Sequence, residues 1–146
     1  GEVPEIDLKE ARRLNDFLVE AAARSLPASA HDCSEGGLAV ALVECSLGGK
    51  LGLNAECPDD ISPAAAFFGE SQNRVIISVA PAKLEALQKL SAEYKLPCRK
   101  LGEVGGDRFS LKQGDDNIEA SLAELGSLYK NSLSEMVKLS TSSQSE

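Results

Sequence analysis

Apolar residues recur at helical spacing from Leu8 to Leu26, where Ala11, Leu14, Leu18, Ala21 and Ala22 share a face and Arg12, Arg13, Asp16, Glu20 and Arg24 lie mostly away from it. The spacing predicts a helix packed by one stripe, with Asp7 as N-cap, Glu10 three residues on, and Pro27 beyond its end. From Leu38 to Cys45 the chain is apolar on nearly every side, which predicts a buried helix. Ser34 can cap its first turn, and Gly48-Gly49 can end it in the left-handed conformation.

Leu51 to Glu56 alternates like a strand, Ser62 to Phe68 suits a helical turn, and Arg74 to Val79 is the strongest strand pattern. Its unbroken apolar run predicts a central strand covered on both faces. Pro81 opens a further helix through Leu84, Leu87, Leu90, Ser91 and Tyr94, closed at Leu96-Pro97. Cys98 to Val104 and Arg108 to Lys112 read as a β-hairpin turning at Gly105-Gly106-Asp107. Ile118 to about Leu139 reads as weakly patterned helix, followed by a polar tail. The expected architecture is α+β, a three-layer mixed sheet flanked by helices, with a domain over residues 1–136 and a flexible polar tail over 137–146.

At 146 residues, 42% apolar and 26% charged, the chain suits one globular domain, and no apolar run approaches the length of a membrane span. The formal charge of -8 and the absence of a Lys/Arg cluster argue against nucleic acid or an anionic membrane as partner. Bound phosphate would therefore have to be held locally, by backbone N–H groups, a helix N-terminus or a metal ion. Cys33, Cys45, Cys57 and Cys98 form no CxxC pair, and His31 is the sole histidine, so a zinc site is not expected. Reduced thiols in a cytoplasmic protein are the natural reading. Gly1 stands first without an initiator Met, which suggests a piece of a longer chain.

Two polar segments can carry chemistry. In His31-Asp32-Cys33-Ser34-Glu35-Gly36-Gly37, the helix start offers free N–H groups, the glycines allow an anion close to the backbone, and Asp32 supplies a hard oxygen of the kind Mg²⁺ prefers. The same residues also suit a plain helix cap and close packing. Gly69-Glu70-Ser71-Gln72-Asn73-Arg74 places consecutive polar side chains directly before the apolar strand, either as a binding loop or as a solvated one. Glu44, alone in an apolar helix, needs solvent or a partner, and His31 suits a hydrogen-bonded loop position better than that of a catalytic base.

Three segments occur together in one family's order: "AHDCSEGGLAVALVE" from Ala30, "FFGESQNRVIISVAP" from Phe67 and "LGEVGGDRFSL" from Leu101. They resemble the C-terminal α/β module of the AIR synthetase/FGAM synthase superfamily over nearly all of the chain to about Met136. Within it the words are most similar to the last such module of small-form phosphoribosylformylglycinamidine (FGAM) synthases. AIR synthetase and selenophosphate synthetase relatives match less closely and stay open as alternatives, as does a non-catalytic assembly module that self-associates.

The resemblance implies an ATP-dependent ligase of purine biosynthesis that converts FGAR, ATP and glutamine-derived ammonia to FGAM, ADP and phosphate. It implies Mg²⁺, a separate glutaminase subunit and a small accessory subunit. Catalytic residues are not assigned to this chain, which is expected to be inactive without the remaining modules of its parent. Asp32, Ser34, Gly36 and Gly37 are similar to nucleotide-binding positions, with Asp32 on the metal. Glu70, Ser71, Gln72 and Arg74 match a possible substrate or phosphate site.

Overall fold

The computed structural model describes residues 6–58 and 61–131. The elements run α1 (Leu8–Ala23), β1 (Pro27–Asp32), α2 (Gly37–Gly49), β2 (Leu53–Glu56), α3 (Pro63–Phe68), β3 (Val75–Val79), α4 (Pro81–Glu93), β4 (Gly102–Val104), β5 (Arg108–Gln113) and β6 (Asp116–Ser121). Residues 122–131 are helical. Among the described residues no helix is long and apolar enough to cross a membrane.

Local signals set the helix starts. Asp7 caps α1, its carboxylate accepting from the N–H groups of Lys9 at 2.8 Å and Glu10 at 3.2 Å. Ser62 caps α3, and Pro81 occupies the first turn of α4, where its missing N–H costs nothing. In α1 the buried positions are Phe17 and Ala21, flanked by Leu14 and Leu18, whereas Ala22 is exposed. The stripe is thus rotated slightly from the sequence-based face.

The α+β character holds, with the strands divided between two sheets: an antiparallel ribbon of β1 and β3, and a four-stranded mixed sheet in the order β4-β2-β5-β6. Among the described strands only β2 and β5 run parallel. Two cores result. One joins α2 and α3 to the mixed sheet around Leu38, Leu42, Phe67, Phe109 and Leu111, and the other joins α1 and α4 around Phe17, Ala21, Leu87 and Leu90. The ribbon lies between them, with Ile76 against the first core and Ile77 and Val79 against the second.

Four sequence-based expectations are corrected. Strand β3 is half-buried at every position and pairs with β1 alone among the described strands, so it is not a central strand. Cys98 to Lys112 is no hairpin, because β2 lies between β4 and β5. The Gly105-Gly106 connection instead crosses the start of β2: Gly52 N–H donates to Gly106 at 2.9 Å, and Gly105 N–H returns one to Gly52 at 2.9 Å. A side chain at Gly52 would collide there with the carbonyl of Arg108.

The hairpin of this region is β5–β6, closed by Gly114-Asp115 with Gly114 at φ 54°. Residues from Ile118 therefore begin as strand, with Ile118 opposite Leu111 and Ala120 opposite Phe109, and become helical only after Ser121. Finally, α2 is not capped by Ser34. Its N-cap is Gly36, left-handed at φ 77°, and its C-cap is Lys50 at φ 53° rather than either glycine before it. The expected tail, residues 137–146, lies outside the described residues.

Candidate functional site

The antiparallel register Asp32↔Val75 sets the end of β1 beside the start of β3. The loops leaving these strand ends are the two polar segments singled out by sequence. Cys33 N–H donates to the Arg74 carbonyl at 2.9 Å, and Gly36 N–H donates to Glu70 Oε1 at 2.9 Å. Between them opens a cleft of about 420 Å³. Asp32, Ser34, Glu70, Gln72 and Arg74 line it, together with Cys33, Glu35 and Asn73, to which the sequence assigned no role.

Gly36, Gly37 and Ser71 do not line the cleft. The glycines act on the packing behind it. Gly37, at φ 65°, could carry a Cβ only 2.7 Å from the Gly69 carbonyl oxygen, so its absence lets α2 begin directly against the end of α3. Arg74 is half-buried and its Nη1 donates to the Gly69 carbonyl at 3.0 Å, which pins the second loop to α3. Asn73 sits at φ 61°, a left-handed position that asparagine tolerates and the one hint of the turn that sequence could have offered.

The Ser34 hydroxyl donates to Asp32 Oδ2 at 2.7 Å. That bond, followed by a backbone bond and the nearby His31, holds the Asp32 carboxyl below the usual carboxylate range, although burial opposes it. The side chain is 72% exposed and faces open cleft. Burial pushes the Cys33 thiol up, and the Arg74 charge offsets this in part. Cys33 is thus an unreactive wall.

The carboxylates of Asp32, Glu35 and Glu70 outnumber the Arg74 guanidinium in the cleft lining. This changes the reading of the helix start. Gly36 N–H is taken by Glu70, and Gly37 N–H donates to the Ser34 carbonyl at 3.2 Å, so a phosphate would have to displace a carboxylate. A cation suits the cleft better than a bare anion. Among the described residues no group of three or more His, Cys, Asp or Glu side chains converges to hold a metal ion. An ionised, exposed Asp32 instead fits Mg²⁺ held by one carboxylate, water and phosphate oxygens, the usual arrangement for that ion on nucleotides.

His31 and Glu44 are partners, as the sequence suggested for each. His31 Nε2 lies 3.2 Å from Glu44 Oε2, and His31 Nδ1 lies 2.6 Å from the Asp32 carbonyl oxygen.

The sequence matches the AIR synthase related protein, C-terminal domain, over residues 1–113. It is 40% identical over 133 residues to the phosphoribosylformylglycinamidine synthase subunit PurL of Thermobifida fusca, covering 91% of this chain and 17% of that one. With subunit PurL of Moorella thermoacetica it shares 35% identity over 134 residues, covering 91% and 18%. The chain therefore spans less than a fifth of the length of these relatives. Among solved structures, phosphoribosylformylglycinamidine synthase II of Thermotoga maritima superposes with a TM-score of 0.75 at 21% identity, over 84% of this chain and 22% of that one. PurL of the same organism complexed with ATP gives 0.70 at 22% identity, over 78% and 21%. At such identities the likeness is one of fold, and it is the sequence match over residues 1–113 that assigns the family: the chain belongs to the AIR synthase related proteins, as their C-terminal domain.

Proposed function

We propose that this chain is the C-terminal module of an FGAM synthase and that its cleft supplies part of a MgATP or MgADP pocket completed by the rest of a longer protein. The single observation that carries this reading is the meeting of the two polar loops around an ionised, exposed Asp32. It is supported by relatives named as PurL subunits, and by a structure of the same fold complexed with ATP. In such a pocket Mg²⁺ would neutralise charge on the phosphate oxygens as FGAR, ATP and glutamine-derived ammonia become FGAM, ADP and phosphate.

The residues of this chain have distinct parts in that reading. Asp32 holds the metal, and Ser34 orients its carboxylate through a hydroxyl hydrogen bond. Gly36 and Gly37 shape the loop, while Arg74 fixes the second loop through Gly69 and leaves Gln72 facing the cleft. Glu70 releases Gly36 N–H when phosphate arrives, and Ser71 stands beside it, off the cleft. The domain is taken as residues 1–136, and residues 137–146 as a polar tail. A glutaminase subunit and a small accessory subunit are the proposed partners, in the cytoplasm, and the solved assembly of Thermotoga maritima PurLQS is consistent with them.

Calorimetric titration of the longer parent protein with MgADP tests the reading. Asp32→Asn is expected to weaken binding at one site by at least about tenfold, the loss of a charge-assisted contact. Unchanged binding stoichiometry and affinity in Asp32→Asn would sink the assignment.

A further inference from the structure

Glu44 is the only charged residue between Leu38 and Leu47 on α2, and both of its carboxylate oxygens are engaged. The Tyr129 hydroxyl donates to Oε1 at 2.6 Å, and His31 Nε2 lies 3.2 Å from Oε2. On its other side the His31 ring meets the Asp32 carbonyl oxygen, with Nδ1 at 2.6 Å. A continuous polar chain thus runs from the helical residues 122–131, across α2, to the backbone of the residue that heads the cleft.

Its far end is itself anchored. Ser121, the last residue of β6, forms a reciprocal cap with Glu124: the Ser121 N–H donates to the Glu124 carboxylate at 2.8 Å, and the Glu124 N–H donates to the Ser121 hydroxyl at 3.2 Å. The mixed sheet therefore sets where Tyr129 stands. Hydrogen bonding to Glu44 also pushes the Tyr129 phenol up.

We propose that Tyr129, Glu44 and His31 form a positioning bridge through which the helical residues 122–131 hold the Asp32 end of the cleft in place. The bridge's hydrogen-bonding contact is with the Asp32 backbone carbonyl, while the Asp32 carboxylate, held by Ser34 and 3.9 Å from His31 Nδ1, still faces the cleft. An ordinary surface ion pair would join two side chains and contribute little. This one instead ties β1 to a helical run that begins 90 residues after it in sequence, counted from Asp32 to Leu122. The inference rests on the cleft being a ligand site, and its test separates the two ideas.

The test compares ¹H–¹⁵N spectra of the 146-residue chain, and MgATP titrations of the longer parent protein, in wild type, Tyr129→Phe and Leu128→Ala. Tyr129→Phe keeps the ring and removes only the hydroxyl, and Leu128, 62% exposed, is a control on the same helical run. The amide resonances of Asp32, Cys33 and Ser34 are expected to move in Tyr129→Phe and to stay in place in Leu128→Ala. MgATP affinity is expected to fall about fivefold in Tyr129→Phe, the worth of one hydrogen bond. Unmoved amides, equal movement in Leu128→Ala, or moved amides with undiminished affinity would each overturn the bridge. If the wild-type parent binds no MgATP, the nucleotide reading fails, and the amide comparison still decides whether the bridge sets the loop.

Discussion

At the scale of single residues, Asp32 and Ser34 show how much a two-residue spacing can determine. The hydroxyl at 2.7 Å is the main reason the Asp32 carboxyl titrates low, so Ser34→Ala is expected to move its midpoint up toward the ordinary value, as followed by carboxyl ¹³C shifts against pH. Because the folded value is lowered, this interaction stabilises the fold above the unfolded carboxyl's pKa, and the contribution is lost as pH falls through the folded value. Glycines give an equally local contrast. Gly37→Ala must adopt φ 65° and place a Cβ 2.7 Å from the Gly69 oxygen, and is expected to lose about 2–3 kcal/mol in urea unfolding. Gly48→Ala, in the same helix with open space around it, is expected to gain about 0.5–1 kcal/mol.

Among elements, Pro58 and Ile61, on the approach to α3, are both held by one side chain from β5. Gln113, buried at the end of β5, donates from Nε2 to the Pro58 carbonyl at 2.5 Å and the Ile61 carbonyl at 2.8 Å. Gln113→Leu leaves both carbonyls without that donor, and is expected to lose about 1–3 kcal/mol in denaturant titration, with faster hydrogen exchange in α3. Sequence reading found the helices well because their starts are local events: Asp7, Ser62 and Pro81 act within one turn. It misread strands where a local cue was true but incomplete. Gly105-Gly106 does turn the chain, yet the strand after it pairs with β2, because β2 already occupies the neighbouring edge. Likewise Ile118 and Ala120 are helix-compatible residues recruited into β6 by Leu111 and Phe109 across the hairpin.

Over the whole molecule, the ribbon of β1 and β3 belongs to both cores, since Ile76 packs on one and Ile77 on the other. Loosening either core should therefore loosen the strand ends that build the cleft. Phe109→Ala and Leu90→Ala, each emptying a fully buried site in a different core, are expected to cost about 3–5 and 2–5 kcal/mol. Each variant should still unfold in one transition, with far-ultraviolet circular dichroism and the fluorescence of Tyr94 and Tyr129 coinciding, and two separated transitions would show that the cores are independent.

The sequence by itself determined where α1, α3 and α4 begin, which residues are polar at the strand ends, and, through three ordered segments, the family. Those are properties of neighbours along the chain. Only the tertiary structure decided that β2 separates β4 from β5, that β3 is half of a two-stranded, half-buried ribbon, and that Glu70 reaches Gly36 across 34 positions. Such pairings are chosen by competition among distant partners for the same edges and the same buried space, and no local preference carries that information.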